Sequence, residues 1–160
     1  MNIDETLDFP RYSKSLDFDA LEKEYPPPPA FFQSVYRMPR PALRALQEKR
    51  FLKLIARGWE IPFFKKRWTA AGLQPGDIRS LDDITKIPPY TVHDTRESIE
   101  AFPPFGDFMG IEIGGKNAQP LVLHTSGGTT GMPRPMLYTP QDRETMAILG
   151  ARRYAMQGMR

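Results

Sequence analysis

The residues best equipped for chemistry stand together in one stretch, "HTSGGTTGMPRPMLYT", residues 124–139. Within residues 125–131 the glycines Gly127, Gly128 and Gly131 alternate with the hydroxyls of Thr125, Ser126, Thr129 and Thr130. Glycine lacks a Cβ, so its backbone takes unusual φ angles and its amide closes on an anion, while Ser and Thr hydroxyls donate to phosphate oxygens. Arg134 follows with a planar guanidinium that can fork onto two oxygens. Types and spacing together suit a loop that holds phosphate. A flexible linker is the rival reading, but linkers seldom lie between two apolar extended runs, here "LVL" and "PMLY".

Such a loop needs rigid elements on both sides. "PLVLH" leads into it as a strand, and "PRPMLYT" leads out as a second extended run. Thr139 is an N-cap, Pro140 occupies the first helical position, and a long helix is predicted to Met156. The unit is strand, glycine loop, strand, helix. Upstream, "FMGIEI" and "PLVLH" are predicted to pair as a hairpin through the turn "GGKNAQ". That turn contains a decoy: "GIEIGGKN" nearly spells the Walker pattern G-x-x-x-x-G-K-[ST]. Asn117 replaces the hydroxyl that would ligate magnesium and no helical pattern follows, so Lys116 reads as a solvent-facing turn residue.

Before the strands the sequence is helical. Pro41 opens "PALRALQEKRFLKLIARGW", where Leu43, Leu46, Phe51, Leu54 and Ile55 recur at helical spacing and Gly58 offers a stop. After Pro62, "FFKKRWTAAG" places Phe64 and Trp68 four apart and ends at Gly72. Ser80 with Asp83, and Thr91 with Asp94, spell capping boxes for two further short helices. His93 in the second reads as a surface residue. Residues 1–40, with four consecutive prolines in "EYPPPPAFF", are expected to form an extended Pro-rich arm, with Tyr25, Phe31, Phe32 and Tyr36 as anchors. Residues 41–160 form the second region.

Composition sets limits. With 160 residues and 40% hydrophobic content the chain can build one core, and its 17 prolines call for irregular segments beside it. A formal charge of +3 with scattered basic residues is too weak a footprint for nucleic acid, even at "FFKKRW". Without cysteine there is no thiolate metal site, and His93 and His124 are too far apart for a local metal motif. No apolar run reaches the ~18 residues of a membrane span, and the acidic N-terminus lacks a secretory pattern, so cytoplasm is the expected location.

The glycine stretch resembles the signature of the adenylate-forming superfamily, [ST]-S-G-[ST]-T-G-x-P-K, and is most similar to that of the phenylacetate-CoA ligase family. The likeness extends upstream through a helix followed by "PFF", an "AG…P.DI.SL.D…IP" passage and a "T..D.RE" helix, so it runs from about Pro41 to Arg160. It implies an α/β fold: a helical N-terminal part, a β-hairpin, the glycine-rich loop and a long helix, together the opening part of the large domain. The implied activity uses ATP and Mg2+ to adenylate a carboxylic acid, then passes the acyl group to coenzyme A. Matched by position, Gly128, Thr129, Thr130, Gly131 and Pro133 correspond to the family's G-T-T-G core and proline. Ser126, Gly127 and Arg134 complete the implied phosphate site. Gly127 stands where the family has Ser or Thr, and Met132 and Arg134 where lysines are frequent. His124 and Tyr138 also match residues common in these ligases.

The resemblance further implies that the magnesium- and adenine-binding motif, the ribose-binding aspartate, the hinge and the adenylation lysine lie beyond residue 160. The expected partner is therefore the remainder of the ligase fold, in the same polypeptide or a second chain, and the isolated chain is expected to be inactive. Two alternatives stay open: a non-catalytic, ligase-derived interaction subunit, and an adenylating enzyme that serves a carrier protein or an amine. A homo-oligomer clasped by the arm also stays open, and the acid is not specified.

Overall fold

The computed structural model describes residues 12–114, 118–127 and 133–159. Among the described residues six α-helices and two strands follow one another: α1 (Phe18–Glu24), α2 (Ala30–Gln33), α3 (Arg40–Glu60), α4 (Pro62–Ala70), α5 (Val92–Ala101), β1 (Val122–Thr125), β2 (Pro135–Tyr138) and α6 (Pro140–Met156). Short 3-10 turns at Tyr12–Ser15, Val35–Arg37 and Leu81–Lys86 complete the list. The chain divides into two compact units, Met38–Ile111 with Thr125–Met136, and the described parts of Met1–Arg37, Glu112–His124 and Leu137–Arg160. Among the described residues no helix is long and apolar enough to cross a membrane.

In the first unit α3 and α4 pack on each other, and Ile55, Trp68 and Ile78 form a buried cluster beneath Phe51, Leu52, Trp59 and Phe64. Ile55 turns inward as its spacing requires, whereas Leu54 remains 67% exposed. Gly58 does not stop α3. It is buried two residues before the end because the Trp68 ring lies over it: a Cβ there would stand 2.3 Å from Trp68 Cη2. Close approach of an aromatic ring, and not helix termination, explains this glycine. Gly72 does end α4, where the Leu73 amide donates to the Trp68 carbonyl and the Gly72 amide to that of Thr69.

Both capping boxes form as their spacing predicts. Asp94 accepts from the Thr91 amide at 2.6 Å, and its other oxygen takes Arg67 Nη1 at 2.7 Å, which ties α5 to α4. The Thr91 amide and hydroxyl, then Arg67, hold the Asp94 carboxyl down to about 2. His93 lies outward, its side chain 80% exposed, with Nε2 3.2 Å from Glu97.

Two sequence expectations change. Over residues 12–37 the arm is not extended: it coils through the 3-10 turns, α1 and α2. Asp17 caps α1 by accepting from the Ala20 amide at 2.9 Å, and the prolines occupy the break between α1 and α2, where little helical hydrogen bonding is asked of their nitrogens. Residues 1–11 lie outside the described residues.

The hairpin is also displaced. "FMGIEI" forms no strand; Phe108 packs edge-on against Phe63 with ring centroids 5.9 Å apart, and Arg57 donates to the Gly110 carbonyl. Packing on the helices overrides β propensity there. β1 pairs instead with β2. The glycine stretch is thus the connection of the hairpin itself, and Lys116, with Gly115 and Asn117, lies outside the described residues.

Candidate functional site

β1 delivers His124, Thr125 and then Ser126 to one side of the loop, and β2 begins directly after Arg134 on the other. The two sides are joined at this point. The Ser126 amide donates to the Arg134 carbonyl at 3.0 Å, and the Arg134 amide donates to Ser126 Oγ at 3.1 Å. Ser126 therefore closes the loop with its oxygen lone pair, and its O–H proton remains available to an acceptor. Gly127 is exposed, with nothing within 4 Å of where a Cβ would stand. Arg134 is half-buried, and no carboxylate among the described residues pairs with its guanidinium. Gly128, Thr129, Thr130 and Gly131 lie outside the described residues, as does Met132.

Farther along the strands, His124 and Tyr138 meet edge to face with ring centroids 5.1 Å apart. Sequence reasoning singled out both without bringing them together. They line a cleft of about 490 Å³ against α6, whose Arg143, Met146, Gly150 and Tyr154 supply the facing wall. Positions 143, 147, 150, 151 and 154 lie on one helical face, so the 3.6-residue period of α6 was the signal that could have found them. Thr139 and Asp142 cap that helix reciprocally, and Pro140 is fully buried at its first turn. The helix that follows the loop is thus fixed at its start.

Among the described residues no group of three or more His, Asp or Glu side chains could hold a metal ion. The donors described do not fit a magnesium site, and no chemical step is assigned to one.

No family model matches the chain. It is 36% identical over 124 residues to phenylacetate-coenzyme A ligase of Thermus thermophilus, a match that covers 77% of this chain and 26% of that protein. With the enzyme of the same name from Aromatoleum evansii it shares 33% identity over 135 residues, 84% of this chain and 29% of the relative. The chain is a relative of the phenylacetate-CoA ligases. It spans little more than a quarter of the length of these relatives. A solved 2-hydroxyisobutyryl-CoA ligase, in complex with 2-HIB-AMP and CoA in its thioesterification state, superposes with a TM-score of 0.57 at 32% identity, over 66% of this chain and 22% of that one. The helices, the two-stranded antiparallel sheet and α6 are accordingly a fragment of an adenylate-forming ligase fold.

Proposed function

We propose that this chain is the N-terminal portion of an AMP-forming acyl- or aryl-CoA ligase and contributes the loop that holds the phosphates of ATP. The closure of that loop carries the reading. Ser126 and Arg134 exchange two hydrogen bonds across its ends, so the glycine- and threonine-rich stretch is anchored on both sides, and its sequence supplies glycine amides and the Thr129 and Thr130 hydroxyls as donors. Pre-organised donors of this kind act where charge develops, here on departing pyrophosphate. Arg134 adds a cation at the loop's exit.

The carboxylic acid, the ATP and the coenzyme A that accepts the acyl group are substrates of the complete enzyme, to which the remainder of the fold contributes. The supporting kinship is with proteins named for CoA ligation. Adenylation in the complete ligase, read by ATP–pyrophosphate exchange with a panel of aryl and short-chain acids, tests the assignment. Replacing Thr130 or Arg134 with Ala should lower the rate by about 10- to 1000-fold, the range for one pre-organised donor. Lys116→Ala should leave it near wild type, because the Walker-like stretch lacks the helix such a loop must feed: β1 begins at Val122 instead. A crippled Lys116→Ala beside intact Thr130→Ala and Arg134→Ala would put the phosphates on the wrong glycines. Pyrophosphate release by the 160-residue chain alone would overturn the view that further residues are required.

A further inference from the structure

We infer that Arg152 is a positioning residue: it locks the Pro-rich N-terminal segment onto α6 and, through α6, steadies the His124 and Tyr138 ends of the two loop-bearing strands. Arg152 is 9% exposed, and a guanidinium is seldom buried unless its environment satisfies it. Its Nε donates to the Pro26 carbonyl at 2.9 Å, across 126 residues of sequence. The same guanidinium lies over the ring of Phe31, 4.4 Å from its centroid. Phe31 in turn meets Phe32 at 5.2 Å and Tyr36 at 5.9 Å, so the cation rests on a cluster that holds α2 and the following turn together. A proline carbonyl is a fitting acceptor, since the break between α1 and α2 leaves it outside a helical ladder.

The neighbouring face of α6 looks onto the ring pair. Ala147, Gly150, Ala151 and Tyr154 share the cleft with His124 and Tyr138, and Tyr138 is joined through Thr139 to the buried Pro140. The 3-10 turn Tyr12–Ser15 packs on α6 as well. Helix α6 is therefore gripped by the N-terminal segment on one side and supports the strand ends on the other. The view that those strands carry a nucleotide loop rests on the proposed function; the mechanical coupling does not.

Hydrogen exchange on the 160-residue chain tests the coupling, with the middle of α3 as internal reference. Arg152→Ala should speed exchange about tenfold in residues 18–37 and also in β1 and β2, and leave α3 unchanged. Phe31→Ala should reproduce the pattern, and the double variant should add little, as expected when two residues act through one contact. Arg152→Lys, which keeps a cation and a donor, should retain most of the protection. Additive effects of Arg152→Ala and Phe31→Ala, or freed residues 18–37 beside unchanged strands, would overturn the proposal. If Arg152→Ala does not fold, Phe31→Leu removes the ring, keeps an apolar side chain and gives the same reading on the strands. Failure of the complete ligase to bind ATP would instead remove the nucleotide assignment and leave the exchange result standing.

Discussion

Gly58 and Gly127 are the same residue in two regions that use it in opposite ways. In the α3–α4 unit the place of a Gly58 Cβ is filled by Trp68, a residue only 7% exposed whose ring meets that of Trp59 at 5.1 Å. At the hairpin loop the place of a Gly127 Cβ is open. In the helical unit side chains interlock and the backbone is a scaffold. At the loop two hydrogen bonds between Ser126 and Arg134 hold the ends, and Gly127 beside them is exposed. The contrast teaches that a glycine can answer to close packing in one place and leave open space in another, and in the proposed phosphate loop that open space is access to the amide.

The largest expected effect follows from the packed glycine. Gly58→Ala should destabilise the chain by about 1–3 kcal/mol, the usual cost of overpacking, because the new methyl would meet the Trp68 ring, which is itself flanked by Trp59 at 5.1 Å and Phe64 at 5.9 Å. That cost outweighs the ~1 kcal/mol that alanine otherwise gains over glycine within a helix. Urea denaturation of the two proteins measures it. A more stable Gly58→Ala variant would mean that the ring moves freely, and the contrast between the regions would dissolve.

The sequence was legible where a local rule decides the outcome. Thr91 with Asp94, Ser80 with Asp83 and Thr139 ahead of Pro140 all cap as their spacing demands, because capping involves four consecutive residues and little else. The run from β1 through the glycine stretch to β2 and α6 was legible for a similar reason, since turn residues and periodicity change within a few positions. Tertiary contact hid the rest. Nothing near Phe108 announces that Phe63 will claim its ring, and nothing near Gly58 announces Trp68. Arg152 was silent for the same cause: its partners Pro26 and Phe31 lie more than a hundred residues away. For the site, the positions of Ser126 and Arg134 followed from the motif, but the closure of the loop by the Ser126 oxygen did not.

A smaller effect separates the regions by pH. In the helical unit the folded-state carboxyl of Asp94 is held to about 2 by Thr91 and Arg67, below its ordinary value of 3.8. A depressed carboxyl contributes stability that is fully present above the ordinary value and is lost as the pH falls toward the folded one. The melting temperature should therefore fall between about pH 4 and pH 2, and Asp94→Asn should flatten that part of the profile while lowering stability at neutral pH. The closure between Ser126 and Arg134 uses backbone groups and a hydroxyl and no carboxylate, so hydrogen exchange in β1 and β2 should be less acid-sensitive than in α5. Equal sensitivity in both would show that the two regions unfold as one, and that the cap at Thr91 does not set the acid limit of its own helix.

The smallest expected change in stability is at the open glycine. Gly127 is not among the glycines with positive φ, and a methyl group there meets no neighbour, so Gly127→Ala meets no steric obstacle in the folded chain. It should leave the urea midpoint within about 0.5 kcal/mol of the wild type, with any shift toward stabilisation, since alanine narrows the unfolded ensemble. Adenylation should respond the other way: in the proposed phosphate loop a Cβ at this position would hold the anion away from the backbone amides, so exchange activity in the complete ligase should fall. The paired measurement is the informative one. Loss of activity at unchanged stability is the signature of a glycine kept for access, whereas a destabilisation as large as that of Gly58→Ala would mean that both glycines serve packing and that the loop is simply another folded turn.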